Sequence, residues 1–329
     1  MSDTDYGPVP SNKIAFCWDA DGTLLPGYMQ TPMFEHFGVD EGEFWEKVNA
    51  AVSNYRDRNV LHDPDNVYLN MIVADAKPGR PFAGLTNSLL RELGSRVRLY
   101  PSVLEAWDTL ADVSGNPSWR AAEIQVEHYV ISTGLRQMIL GTELGRRANG
   151  VWGGEFEPAT DSIGDPSQPI EHVVYAVSAT LKTQILYAIN KGSNIDPSID
   201  VDRPVPDAYR RVPFQNIVYT GDSKTDVPAM SVTARNGGFT VAVWAPGSNK
   251  REEQSRALVA DGRAKVARPA DFGPGSALMD TLIAERDRIA DRIVAERAQH
   301  RLRYHGTEIT HHNDNLQAQA RNTQGGVGR

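Results

Sequence analysis

The run Ile14-Ala15-Phe16-Cys17-Trp18-Asp19-Ala20-Asp21-Gly22-Thr23 sets an unbroken apolar stretch directly against two carboxylates, a glycine and a hydroxyl. Five consecutive apolar side chains suit a strand buried on both faces, as in a parallel sheet covered by helices. Asp19 and Asp21 then stand at its C-terminal end, the edge at which open α/β sheets bind ligands. Three more short runs share this design: residues 129–131 before Ser132, 217–219 before Thr220-Gly221-Asp222, and 239–243 before Trp244. Helical patterns separate them. Pro101 precedes Val103, Ala106, Trp107 and Leu110 at helical spacing, and residues 180–191 read as a helix closed by Gly192. Strands alternating with helices predict an α/β fold, a doubly wound parallel sheet of Rossmann-like order.

Residues 26–98 break the alternation. Asp40-x-x-Glu43 resembles a capping box, and Trp45, Val48, Val52 and Tyr55 follow on one helical face. Further helices are predicted near 64–74 and 87–93. A run of helices inserted after the first strand makes a mainly helical cap over the sheet's C-terminal edge, where it would exclude water and select substrate. Trp45 and Tyr55 are expected in that cap's core. The domain division is then a flexible N-terminus at 1–13, an α/β core at 14–25 and 99–275, the cap at 26–98, an amphipathic helix at 276–305, and a disordered polar tail at 306–329. Residues 161–169 and 193–213 read as loops. On the C-terminal helix, Leu278, Leu282, Ile289 and Ile293 form an apolar stripe. Docking on the parent domain is its first explanation, with a homodimer through that face as the alternative.

Composition narrows the classes. With 40% hydrophobic and 23% charged residues the chain has the make-up of a soluble globular protein. No apolar run approaches the length of a membrane span, and the N-terminus lacks the pattern of a secretory signal. The single cysteine, Cys17, lies inside an apolar run and forms no staple, which fits a reducing, cytoplasmic setting. A formal net charge of −8 argues against nucleic acid as a partner and leaves a small phosphorylated substrate open.

The strand ends converge on Asp19 and Asp21, Ser132, Asp222 and Asp226, and Lys182 lies in the first turn of an intervening helix. Such a set suits phosphoryl transfer. A carboxylate attacks phosphorus without needing deprotonation at neutral pH. Carboxylates supply hard oxygen ligands for Mg2+, and the ion with a lysine neutralises charge on the transferring group. A second carboxylate two residues on protonates the leaving alcohol and later activates water. The competing explanations are local. Asp at strand ends also makes turns, Asp226 would cap the helix starting near Val227, Thr133 competes with Ser132, and Lys191 and Lys224 compete with Lys182. Thr23 braces the turn, and the histidines show no ligand spacing.

These motifs resemble those of the haloacid dehalogenase superfamily of phosphohydrolases. The matching pieces are Asp19-Ala20-Asp21-Gly22-Thr23-Leu24, Val130-Ile131-Ser132-Thr133-Gly134, Lys182 in Leu181-Lys182-Thr183, and Gly221-Asp222-Ser223-Lys224-Thr225-Asp226. The place of the helical insertion, and residues 150–156 after the second motif, resemble its phosphoserine-phosphatase-like branch. The resemblance covers roughly 14–272. It implies Asp19 as nucleophile and Asp21 as general acid/base, Ser132 and Lys182 as the phosphate clamp, and Mg2+ held by Asp19, the backbone carbonyl of Asp21, Asp222 and Asp226. Asp21 argues against true dehalogenation. Carbon–phosphorus cleavage would need a Schiff-base lysine in the cap, and Lys47 and Lys77 have no context for it. A phosphomutase and a non-catalytic phosphate-binding module remain as alternatives.

Overall fold

The computed structural model describes residues 8–324, with side chains as far as Arg303. β1 (Lys13–Trp18) is the middle of a seven-stranded sheet ordered β4-β3-β2-β1-β5-β6-β7, whose other strands are β2 (Gln125–Leu135), β3 (Gly150–Glu157), β4 (His172–Tyr175), β5 (Ile217–Gly221), β6 (Phe239–Trp244) and β7 (Val266–Pro269). All neighbours are parallel except β3 and β4. Both faces of β1 are buried. Ile14, Phe16 and Trp18 enter one apolar cluster, Ala15 and Cys17 the other, as strand alternation requires. The strand order reverses about β1, which β2 and β5 flank, so the ends of these three strands form the switch-point crevice.

The insertion holds α1 (Thr31–Phe37), α2 (Glu41–Asp57), α3 (Pro64–Asp75) and α4 (Asn87–Gly94). Three begin on side-chain caps: Asp40 accepts from Glu43 N–H, Asp63 from Asp65 and Asn66, and Thr86 from Leu89. α1 was not foreseen. It has no side-chain cap, starts at a proline and stops at left-handed Gly38 (φ 63°). The segment leaves and returns at one point, for the bridge of Asp21 with Leu25 lies beside the bond from Tyr100 N–H to the Leu24 carbonyl at 3.0 Å. Phe34, Phe44, Leu69, Ile72 and Phe82 are buried in the same cluster as one face of the sheet. Tyr55, expected in the cap core, is exposed with its ring against His62, whereas Trp45 is half-buried.

The remaining helices are α5 (Val103–Ala111), α6 (Pro117–Ala121), α7 (Arg136–Gly141), α8 (Glu143–Arg147), α9 (Ala179–Lys191), α10 (Val227–Arg235), α11 (Asn249–Ala260) and α12 (Ala277–Gln324). Leu278, Leu282, Ile289 and Ile293 are fully buried in this chain's own core, each stabilising the docked helix by about 2 kcal/mol. The stripe is thus covered within the chain, as docking on the parent domain requires. α12 continues to Gln324, past the boundary at 305 and into the segment expected to lack order. Of the N-terminal segment expected to be flexible, residues 1–7 lie outside the described residues, and Ser11 and Asn12 bond to the carbonyls of Arg211 and Glu123. Loop 161–169 is tied to the cap by Ser88 N–H on the Pro166 carbonyl, and loop 193–213 to the core by Arg211 on Glu127.

Candidate active site

Trp18 pairs with Val130 on one side and Thr220 on the other. This register carries Asp19, Ser132 and Asp222 to neighbouring positions at the same sheet edge. Asp19 N–H bonds the Thr220 carbonyl at 2.9 Å. Gly22, at φ 78°, turns the chain back so closely that Asp222 occupies the space of a side chain. Ser132 lies inside β2 rather than beyond it, because the pairing with β3 shifts between Ile131 and Leu135. The irregularity re-aims the strand. Ser132 Oγ accepts Gly134 N–H at 2.9 Å, and Met29 fills the space above Gly134.

Lys182, in the first turns of α9 behind its cap Ser178, is wholly buried. Its Nζ lies 2.6 Å from Asp19 Oδ1 and 2.7 Å from Asp226 Oδ1. Asp226 stands at the N-cap position of α10, but its side chain makes no cap bond there. Its Oδ1 also accepts the Tyr219 hydroxyl at 2.8 Å, and its Oδ2 accepts Ser223 N–H and Oγ–H in a reciprocal capping box. Asp222 Oδ2 holds Arg251 of α11 at 2.6 Å. Asp21 Oδ1 accepts Met29 N–H at 2.9 Å, which links the acid to the first cap residues. Lys224 is exposed, and Lys191 holds loop carbonyls at Val201 and Arg203. Tyr219, Ser223 and Arg251 were not read from the sequence.

Electrostatics follow from crowding. Burial first, and then the Asp226 charge, push the Asp19 carboxyl up to about 7 despite Lys182. Burial and Asp19 push Asp21 to about 8, and burial with Asp19 and Asp226 push Asp222 to about 8. Lys182 is penalised by burial, yet its two carboxylates hold it above the ordinary lysine range. The surplus is negative, so the site has room for a cation. Asp19, Asp222 and Asp226 each offer one oxygen within 4.8 Å of the others, a donor set of hard oxygens that suits Mg2+. Both oxygens of Asp226 are already bonded, so its contribution is best made through Lys182 or an intervening water. The Asp21 side chain stands outside the trio.

Parallel strands meeting at a switch point, with helices inserted after the first strand, are the arrangement that the resemblance to the haloacid dehalogenase superfamily implies. The chain belongs to one family with an uncharacterized protein of Borreliella burgdorferi, 30% identical over 231 residues that make up 67% of this chain and 78% of the relative. No family model matches it. Similar solved structures include a probable phosphoserine phosphatase from Vibrio cholerae (15% identity, 86% of this chain and 68% of that one, TM-score 0.47). Others are a hydrolase of the superfamily from Salmonella enterica serovar Typhi (16%, 71% and 63%, 0.44) and a phospho-aspartyl intermediate analogue of phosphoserine phosphatase (14%, 78% and 93%, 0.44).

Proposed function

We propose that this chain is a Mg2+-dependent phosphohydrolase that cleaves a small phosphomonoester through an aspartyl-phosphate on Asp19. The observation that carries the reading is Lys182, sealed from solvent between Asp19 and Asp226. A buried ion pair is weak evidence of a stabilising role, and an ammonium held beside Asp19 is placed to neutralise charge on a phosphoryl group transferred to that carboxylate. Mg2+, held by Asp19 and Asp222, supplies charge neutralisation at the phosphoryl oxygens when bound.

The chain's own groups do the rest. An Asp19 oxygen forms a bond to phosphorus as the ester oxygen–phosphorus bond breaks. Asp21, raised to about 8, is protonated at neutral pH and gives its proton to the departing alcohol. Met29 N–H fixes one oxygen of Asp21 and leaves the other for that proton. Asp21 then takes a proton from water, which attacks phosphorus and releases Asp19. Ser132 and Lys182 hold the phosphoryl oxygens, and Lys182 stays charged throughout. Cys17, buried and single, accords with a cytoplasmic setting. Among the described residues no helix is long and apolar enough to cross a membrane.

The test is phosphate release from p-nitrophenyl phosphate by purified protein, with and without Mg2+. Release that needs the ion and is lost in Asp19→Asn is expected. Wild-type protein inert towards a broad panel of phosphomonoesters with Mg2+ would refute the reading.

A further inference from the structure

The cap stretches bordering Asp21 carry acids and, apart from His36 and His62, no basic side chain. No lysine or arginine occurs between Lys13 and Lys47, nor between Arg58 and Lys77. Those stretches hold the first motif, α1, the start of α2 and all of α3. The cations of the site are engaged, Lys182 by Asp19 and Asp226 and Arg251 by Asp222. The same stretches carry Glu41 and Asp65. Glu41 accepts the Thr31 hydroxyl at 2.9 Å and lies 3.4 Å from the Trp45 indole N–H, and its charge is felt at Asp21. Asp65 stands three residues before Tyr68 on one face of α3. Burial and Asp63 raise its carboxyl to about 6, and Lys182 opposes them.

An aromatic wall runs between these acids. Tyr68, buried, donates its hydroxyl to the Thr133 carbonyl at 2.5 Å, next to Ser132. Its ring meets Trp45 at 5.5 Å, and Trp45 meets Tyr28 at 5.5 Å. Tyr28 is 52% exposed and adjoins Met29, whose N–H holds Asp21. The wall thus leads from the phosphate clamp to solvent past the group that protonates the leaving alcohol. Gln30, only 2% exposed and close to Tyr68, has a side-chain carbonyl oxygen Oε1 that finds no partner among the described residues. A buried acceptor without a donor costs free energy that an incoming N–H would recover.

We propose that Tyr28, Trp45 and Tyr68, with Glu41, Asp65 and Gln30, form the leaving-group subsite, and that the substrates are phosphomonoesters of cationic amino alcohols lacking a carboxylate. The inference rests on the hydrolase reading above. Aromatic faces attract ammonium groups, and the two carboxylates complete the complement. A leaving group bearing its own carboxylate, as in phosphoserine, would meet repulsion with no lysine or arginine to relieve it.

The test compares kcat/KM of the wild-type chain, with Mg2+, for phosphocholine, phosphoethanolamine, 3,3-dimethylbutyl phosphate (the neutral isostere of phosphocholine), phosphoserine and p-nitrophenyl phosphate. At least one ammonium ester should exceed both the isostere and phosphoserine by about 10-fold or more, a ratio within the range of desolvated cation–aromatic contacts. The quaternary and primary esters tell a methylated from an unmethylated ammonium. In Glu41→Gln, Asp65→Asn and Trp45→Leu, each checked for folding by its thermal transition, the ratio of ammonium ester to isostere should fall towards one. Turnover of p-nitrophenyl phosphate without preference for the ammonium esters, or with phosphoserine best, overturns this inference and leaves the hydrolase reading standing. No turnover of any ester overturns both.

Discussion

A Cβ on Gly22 would lie 2.2 Å from Asp222 Oδ2, so the first motif turns against the fourth with no room for a methyl group. The glycine also sits at φ 78°, where a side chain is strained. Gly22→Ala should therefore push Asp222 out of the trio it forms with Asp19 and Asp226. The strain and clash together should cost about 1–3 kcal/mol of stability. Mg2+-dependent turnover should fall on the order of 100-fold, as a displacement of about 1 Å does in such sites. Urea unfolding and kcat/KM measure the two effects, and full activity in a folded variant would contradict the argument.

Lys182 is the only cation bonded to Asp19 and Asp226 among the described residues. Lys182→Met leaves two buried carboxylates facing each other, and breaking a buried pair this way costs about 3–5 kcal/mol. Asp226→Asn should cost less, since Lys182 keeps Asp19 as a partner and Asn still accepts from Tyr219. Urea midpoints at pH 7.5 rank the two, and a reversed order would show that Asp226 rather than Lys182 anchors the site.

Asp19, Asp222 and Lys182 were readable because each follows from a local pattern: an apolar run ending in acid, or a lysine just inside a capped helix. Chain order then supplied the cap. β3 and β4 were harder to read. β3 contains Gly150, Gly153 and Gly154, which keep strand propensity low, and β4 is four residues at an edge. α7 and α8 span six and five residues, too short for a helical period to declare itself, and packing holds them in place. Arg251 sits twenty-nine residues from Asp222, on α11, and only tertiary closure joins them. Ser132 could be named from its position, but not the strand irregularity that aims it. Trp45 was readable as a core residue from helical periodicity, and it does pack, half-buried, against the core cluster, while periodicity alone could not say that it also reaches the rim.

Asp21 and Asp222 at about 8 and Asp19 at about 7 imply that ion binding displaces protons. Each carboxyl is raised above its unfolded value near 4, so in the metal-free protein its stabilising effect is full below pH 4. That effect is lost as pH rises through 7–8. Mg2+ should reverse the loss, its apparent affinity should climb between pH 6 and 8, and about one proton should leave per ion at pH 7. Calorimetry in buffers of different ionisation enthalpy counts the protons. An affinity flat across pH 6–8 would remove the basis for this coupling.

His128 offers the opposite slope, away from the site. It is buried, stacked on Trp107 at 4.4 Å with an interplanar angle of 7°, and accepts the Trp18 indole N–H at Nδ1. Burial holds it down to about 3. In the unfolded chain its pKa returns to about 6.5, so folding excludes a proton below that value. Stability linked to His128 is full above pH 6.5 and drains as pH falls from 6.5 towards 3, by up to about 1.4 kcal/mol per unit. Phe at this position keeps the stack and removes the titration, at the cost of an unpaired indole N–H on Trp18. His128→Phe should therefore be less stable than wild type at pH 7.5 and close much of that gap by pH 5. Urea unfolding of both proteins at the two values checks this, and a gap that stays constant would mean the imidazole is not held neutral in the native state.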